Sequence, residues 1–410
     1  MPIIESLLDT DFYKFTMGQV ILKHHPDVPV RFTFKNRTKG ISLADVISEQ
    51  DLRSELDYAR TLRFSKTDLH YLRGTNEYGE RMFREPYLEF LSQLELPPYE
   101  LEKVDGNYRL EFPGKWAEAT YWEIYALAIT NELYYRGLMK QISSFEKETV
   151  LATGTLKLAE KIKILRGSPR ITFCDFGTRR RFSRSWQDYV VRSLAKELPS
   201  TQFLGTSNTY LAMKYGLLPM GTDAHEMPMG YSGIFHDSDE EIRASHQRFL
   251  RDWWNEYGWG LSIALPDTYG TDFFFRDFTS AQAKAWKGGR QDSGDPFVFV
   301  DKTLAFYQQY GVDSREKIIV FSDGLDLYTM IRIADYCEGK IRYTFGWGTN
   351  LTNDLGFPPL SIVIKLMESN GHGTVKLSDN LAKALGKPED VERFKKIFGY
   401  TGTEYKEVKY

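Results

Sequence analysis

Six short apolar runs in the second half of the chain each end in a cluster of polar, chemically capable residues. That repetition constrains the fold more than any other feature. Residues 171–173 lead into Cys174-Asp175-Phe176-Gly177-Thr178-Arg179-Arg180-Arg181, 203–204 into Gly205-Thr206-Ser207-Asn208, and 217–220 into Gly221-Thr222-Asp223-Ala224-His225-Glu226. Residues 261–265 lead into Pro266-Asp267-Thr268-Tyr269-Gly270-Thr271-Asp272, 318–321 into Ser322-Asp323-Gly324, and 342–345 into Gly346-Trp347-Gly348-Thr349-Asn350. A seventh cluster, Gly288-Gly289-Arg290-Gln291-Asp292-Ser293-Gly294-Asp295, has no clear run before it. Amphipathic stretches separate most of them. Strand, polar turn and helix in repetition predict a parallel (β/α) barrel, irregular in its spacing, with its chemistry at the C-terminal strand ends.

The first 140 residues lack that alternation. Residues 28–35 alternate like a strand, 99–112 resemble a hairpin around Asp105-Gly106, and 116–138 read as a long helix. Residues 361–367 form one more apolar run, and a charged, helical tail is expected after Lys387. The expected organisation is an N-terminal α+β domain at 1–140 and an α/β barrel domain at 141–355. A C-terminal segment at 356–410 returns to the N-terminal domain and completes it.

With 410 residues the chain is long enough for one large domain and a smaller one. A net charge of −3 gives no global reason to expect nucleic-acid binding. Two cysteines rule out a disulfide framework and point to a reducing, cytoplasmic setting. No CxxC or HExxH spacing offers a zinc site, so no protein-held metal is expected. Residues 1–9 carry two acids and no basic stretch, unlike a signal peptide, and no run approaches the ~20 apolar residues that a membrane span needs.

The clusters carry specific chemistry. Glycines beside small polar residues allow close backbone approach, and the turns at Ser322-Asp323-Gly324 and Gly346-Trp347-Gly348-Thr349-Asn350 fall where barrels frequently bind phosphate. Three arginines, 179–181, open a helix where dipole logic prefers acids; a dense anion such as pyrophosphate resolves the conflict, and a solvated basic face is the plain alternative. Arg290 with Asp292 and Asp295 fits a guanidinium gripping an anion while carboxylates hold ribose hydroxyls or magnesium waters, or simply a structural ion pair. His225, next to Glu226 at a strand end, can act as a base or accept a phosphoryl group.

Taken together these motifs resemble those of the nicotinate phosphoribosyltransferases, the ATP-dependent form. The similarity begins at Leu7-Leu8-Asp9-Thr10-Asp11-Phe12-Tyr13-Lys14 and runs through the clusters above in the family's order to residues 348–356. The resemblance implies transfer of a phosphoribosyl group from 5-phosphoribosyl-1-pyrophosphate (PRPP) to nicotinate, driven by ATP hydrolysis through a phosphohistidine. It implies a ligase forming a C–N bond in the first step of NAD salvage. By the family's pattern His225 is phosphorylated, with Glu226, Arg290 and Asp292 beside it in catalysis. Tyr13, Phe176, Thr206, Ser207 and Arg290 would bind nicotinate, with Tyr13 supplied by a second subunit of a homodimer with shared sites. Arg179, Arg180, Ser322, Asp323, Gly324, Gly346, Gly348, Thr349 and Asn350 would hold PRPP and its phosphates, and Mg²⁺ would enter on the substrate phosphates.

The related nicotinamide enzyme carries an aspartate where Ser207 stands, so a neutral Ser207 favours the anionic base. This chain departs from the commoner family form at Met227, Gln291 and Asp223. Competing readings are a nicotinamide or quinolinate transferase, a barrel glycosidase using Asp267 with Asp272 or Glu226, and an inactive binding relative.

Overall fold

The computed structural model describes residues 1–77 and 79–402, and two sheets organise them. Taken in chain order, the strands that matter are β1 (Pro29–Asn36), β2 (Glu100–Val104), β3 (Asn107–Lys115), β4 (Phe173–Asp175), β5 (Phe203–Thr206), β6 (Leu218–Pro219), β7 (Ile263–Ala264), β8 (Gly288–Gln291), β9 (Ile318–Phe321), β10 (Arg342–Trp347), β11 (Ile362–Ser369) and β12 (His372–Gly373).

Strands β4 to β10 form a seven-stranded sheet in the order β6-β5-β4-β10-β9-β8-β7, with every pairing parallel. The chain is thus an α/β protein whose barrel is incomplete. Among the described residues the edge strands β6 and β7 do not pair, so the sheet is a curled half-barrel. Each of the six apolar runs contributes to a strand, and the polar clusters begin in the last residues of that strand or just past it.

The seventh cluster differs from the expectation, because Gly288-Gly289-Arg290-Gln291 is itself a strand, β8, lying between β9 and the edge strand β7. A Cβ on Gly288 would lie 1.8 Å from the Ile318 carbonyl oxygen. Close approach to β9 therefore selects glycine over an apolar side chain, which hides this strand from hydrophobic patterning.

The second sheet is antiparallel, in the order β12-β11-β1-β3-β2. It joins strands from both ends of the chain; β11 pairs with β1 from Asn36↔Ile362 to Val30↔Ser369. The hairpin β2–β3 turns at Asp105 and Gly106, both at positive φ, as expected. The long N-terminal helical pattern divides into Trp116–Ala119 and Trp122–Lys140, the latter buried along most of its length between the two sheets' residues. The charged tail forms the helix Pro388–Phe398, which packs Phe394 and Phe398 against Tyr269 and Phe273. Among the described residues no helix is long and apolar enough to cross a membrane.

Candidate active site

The C-terminal ends of β4 to β10 open into two adjoining cavities. One is a polar cleft reached by Arg179, Arg180, His225, Asp292 and the turns after β9 and β10. The other, largely apolar, reaches into the half-barrel past Cys174, Ile263, Val320 and Thr344. Tyr13, Phe176, Arg179 and Arg290 line both. A flat apolar chamber therefore communicates with a cation-lined cleft across two rings and two guanidinium groups.

Phe176 follows β4 and is seated by a glycine opposite. A Cβ on Gly346 would fall 2.3 Å from the Phe176 ring, so Gly346 lines the cleft chiefly by making room for that ring. Tyr13 opens the helix Tyr13–His24, and its hydroxyl donates to Glu123 Oε2 at 3.2 Å. Gly221 lets the β6 turn approach, since a Cβ there would lie 2.7 Å from the Tyr13 amide. Both rings come from one chain. Within one chain the first helix and the half-barrel bring Tyr13 and Phe176 to the same cavities.

His225 is buried at the head of the helix Glu226–Ile234. Its Nδ1 lies 2.9 Å from Thr268 Oγ1, while Nε2 lies 3.0 Å from Asp292 Oδ2 and 2.9 Å from Lys376 Nζ. Nε2 can donate to Asp292 or accept from Lys376, but not both at once. With Nδ1–H donating to Thr268, the Nε2 lone pair faces Lys376 and the cleft. Burial, reinforced by the Lys376 charge, lowers the imidazole pKa to about 4, so the ring is neutral and nucleophilic at physiological pH. Burial pushes the Asp292 carboxyl up, but the contact with His225 and the charges of Arg290 and Lys376 outweigh it and hold it well below the usual carboxylate range.

His225, Asp267 and Asp292 converge closely enough to suggest a metal site. The Lys376 ammonium lies 3.7 Å from Asp267 and 3.8 Å from Asp292 and supplies the positive charge there. The cluster is therefore an ion network. Asp292 and Asp323 both line the cleft, and their carboxylates are of the kind that would hold a hard cation such as Mg²⁺.

Arg290 projects from β8 with Nη2 donating to the Asp223 carbonyl at 3.3 Å. Its Nε is buried and, among the described residues, has no hydrogen-bond partner, while the Arg290 side chain lines both cavities. Asp223, on the apolar chamber, has its carboxyl pushed up to about 6 by burial, against the opposing charge of Arg290. The turns after β9 and β10 reach the polar cleft. Ser322, Asp323, Gly324, Gly348, Thr349 and Asn350 all line the polar cleft, and Gly324 has a φ of 58° that favours glycine.

Several expected site residues lie elsewhere or do other work. Glu226 faces away, accepting from Lys14 Nζ at 2.5 Å and Trp116 Nε1 at 2.7 Å, which makes it part of a buried charge cluster rather than a catalytic group. Thr206 donates to Asp175 Oδ2 at 2.7 Å and lines neither cavity. Ser207 lines the apolar chamber, but its hydroxyl donates to Asp11 Oδ1 at 2.7 Å; an acid stands at that corner after all. Arg181 is fully buried in a two-pronged pair with Asp9 at 2.7 and 2.8 Å. Only Arg179 and Arg180 of the arginine run reach the cleft. The glycosidase reading loses its partners as well, since Glu226 is sequestered and Asp272 pairs with Lys302 at 2.7 Å.

The cleft also contains cations that pattern reading missed: Arg37, Lys365, Lys376 and Lys383. Lys365 left a trace, a lysine inside the apolar run of β11 on the same face as Val363. Lys376 and Lys383 sit in an irregular segment with no motif around them. Lys383 Nζ donates to the Asp292 carbonyl at 2.9 Å and to Asp323 at 2.5 Å.

A half-barrel with cation-lined turns at its strand ends, beside an apolar chamber bounded by two rings, defines a phosphoribosyltransferase-type site. The comparisons with known proteins agree. The family model for the nicotinate phosphoribosyltransferase family matches residues 171–402, and that family's N-terminal domain model matches residues 8–131. The chain belongs to the nicotinate phosphoribosyltransferase family. It is similar to the crystal structure of nicotinate phosphoribosyltransferase from Porphyromonas gingivalis at 33% identity and a TM-score of 0.85, over 97% of this chain and 100% of that one. It is also similar to the Vibrio cholerae enzyme of that name at 34% identity and a TM-score of 0.86, over 98% of this chain and 94% of that one.

Proposed function

We propose that the chain joins nicotinate to PRPP, forming nicotinate mononucleotide and pyrophosphate as the entry step of NAD salvage, with ATP hydrolysis coupled through a phosphate carried on His225. The observation that carries this reading is the sharing of Tyr13, Phe176, Arg179 and Arg290 between the two cavities. A planar anionic base in the apolar chamber would thereby meet a phosphorylated sugar in the polar cleft.

In the transfer step the pyridine nitrogen bonds to the ribose anomeric carbon as the bond to pyrophosphate breaks, and pyrophosphate leaves with the electron pair. The ring nitrogen is already nucleophilic, so the chain's work is alignment and charge compensation. Phe176 and Tyr13 bound the ring, and the Arg290 guanidinium meets negative charge where base and donor adjoin. Mg²⁺, when it arrives on the phosphates, supplies further neutralisation. In the coupling step the neutral Nε2 of His225 bonds to the terminal phosphorus of ATP as the bond to ADP breaks. Water later takes the phosphoryl group. Lys376 sits beside Nε2 to balance the incoming charge. An assay of pyrophosphate and phosphate release with nicotinate, PRPP and ATP tests the whole reading. Transfer to nicotinamide or quinolinate in place of nicotinate would overturn it.

The pocket is self-contained in this reading, which gives a sharp expectation. Phe176→Ala and Tyr13→Ala should each raise the Michaelis constant for nicotinate by about tenfold, with smaller effects on ATP, because ring contacts of this kind contribute ~0.5–1.5 kcal/mol beyond the area they bury. Mixing the two variants should restore nothing, since each chain still lacks one of its own rings. Recovery on mixing, once subunit exchange is demonstrated, would place Tyr13 in a neighbour's site.

A further inference from the structure

Lys376 reaches His225 from a segment with almost no regular structure, and something must hold it there. The ends of that segment are tied by a reciprocal pair, with the Lys376 amide donating to the Leu385 carbonyl at 3.0 Å and the Leu385 amide to the Lys376 carbonyl at 2.8 Å. Between them Ser378 is fully buried at φ 65°, a left-handed conformation costly for a residue with a Cβ. Its neighbours are fastened to the His225 network. The Leu377 amide donates to the Thr268 carbonyl at 2.8 Å, and the Ser378 hydroxyl lies 3.4 Å from Asp267 Oδ2. Asp379 accepts from the Thr271 amide at 2.8 Å.

One fastening comes from the far end of the chain. The Tyr400 hydroxyl donates to the Ser378 carbonyl at 2.6 Å. Tyr400 is aimed there by the left-handed Gly399 that ends the last helix, with its amide returning to the Lys395 carbonyl at 2.8 Å. The helix end is itself clamped. Phe398 stacks on Tyr269 with centroids 3.8 Å apart, and Arg276 donates to the Phe398 and Gly399 carbonyls, both at 3.1 Å. The Tyr400 ring also packs over Gly270, where an added Cβ would lie 2.9 Å from it.

We infer that Tyr400 is a positioning residue for ATP coupling: its hydroxyl holds Ser378 in the left-handed conformation that keeps the Lys376 ammonium against His225 Nε2. This rests on the reading of His225 as the phosphoryl carrier. Tyr400 lines neither the polar cleft nor the apolar chamber, and its effect runs through Ser378 and the two residues before it. A glycine at 378 adopts the same backbone without strain, so it should remove the need for the latch.

The test compares wild type, Tyr400→Phe and Tyr400→Phe/Ser378→Gly in the full-length protein. Stimulation by ATP and the yield of phosphoenzyme from ATP labelled on its terminal phosphate are measured beside the Michaelis constant for nicotinate. Hydrogen exchange at the Lys376 and Leu377 amides is followed in parallel. Tyr400→Phe should cut ATP stimulation and phosphoenzyme yield at least fivefold, leave nicotinate's constant within twofold, and speed exchange at those amides about tenfold. The double variant should recover both readouts. Unchanged exchange in Tyr400→Phe overturns the latch, whatever the activity. Loss of basal transfer together with ATP stimulation, or no recovery in the double variant, overturns it in favour of a general structural role. If the wild type forms no phosphoenzyme, the reading of His225 fails and the positioning role in coupling falls with it; the exchange data then report only whether Tyr400 holds the segment.

Discussion

Replacing His225 by alanine should abolish stimulation by ATP and eliminate phosphoenzyme, while slower transfer from PRPP to nicotinate persists. The expectation follows from two features of the site. Nε2 is the ring atom that meets Lys376 and Asp292 at the polar cleft, and Nδ1 is engaged by Thr268. Burial keeps the ring neutral down to a pKa of about 4, so Nε2 becomes a free nucleophile once the Lys376 ammonium turns to an incoming phosphate. The base chamber does not include His225, so its removal spares the rings and Arg290. Alanine does leave Lys376 facing Asp267 and Asp292 without the imidazole between them. His225→Gln, which keeps the volume and a hydrogen-bonding end, is the companion variant and should show the same loss. An ATP-stimulated His225→Ala enzyme would remove this residue from the coupling mechanism.

Arg290→Ala should lower kcat/KM for the transfer by two to three decades. Removing one member of a buried charge pair costs about 3 kcal/mol or more, much of it from the charge left unpaired, and each decade corresponds to ~1.4 kcal/mol. Arg290 is the case in point because its side chain lines both cavities and its charge opposes the buried Asp223 and Asp292 carboxylates, which its removal leaves uncompensated. It also opposes the burial that raises Asp223. Without Arg290 that carboxyl should titrate higher still. Arg290→Lys keeps charge but not the fork, and should recover only part of the loss. Steady-state kinetics with nicotinate and PRPP varied in turn separates the two candidate anions. A loss confined to the nicotinate Michaelis constant assigns Arg290 to the base carboxylate, and a loss shared with PRPP assigns it to the diphosphate. A change below threefold in kcat/KM would mean that Arg290 is structural.

The antiparallel sheet and the segment after it matter more to this site than their composition announces. Lys365 from β11 pairs with Glu123 at 3.0 Å, Lys376 meets His225, and Lys383 meets Asp323. Each brings positive charge to a cleft whose half-barrel side contributes Asp292 and Asp323. A phosphate-rich substrate would thus be enclosed between the two sheets.

What the sequence by itself determined is local and periodic. Apolar runs ending in polar turns sufficed for the half-barrel strands, because a strand buried on both faces needs little more than a short apolar stretch and a turn. The same periodicity located His225, Phe176, Arg179 and the turns at 322–324 and 348–350 at one end of the sheet, and the order of motifs carried the family. What only the tertiary structure decided involves long separations or steric contact. Lys376 and His225 are 151 residues apart, and no local pattern pairs them. Arg181 reads like its two neighbours, yet it turns inward to Asp9 while Arg179 and Arg180 face the cleft. Glu226 and Thr206 sit one residue from site residues and point elsewhere, because successive positions in a helix or strand face different directions. Gly288 and Gly346 are glycines for what a Cβ would strike, a neighbouring strand's carbonyl in one case and the Phe176 ring in the other. Tyr13 reaches the chamber within one chain because the start of the first helix lies against the turn at Gly221, a contact between distant segments that their separate patterns do not encode.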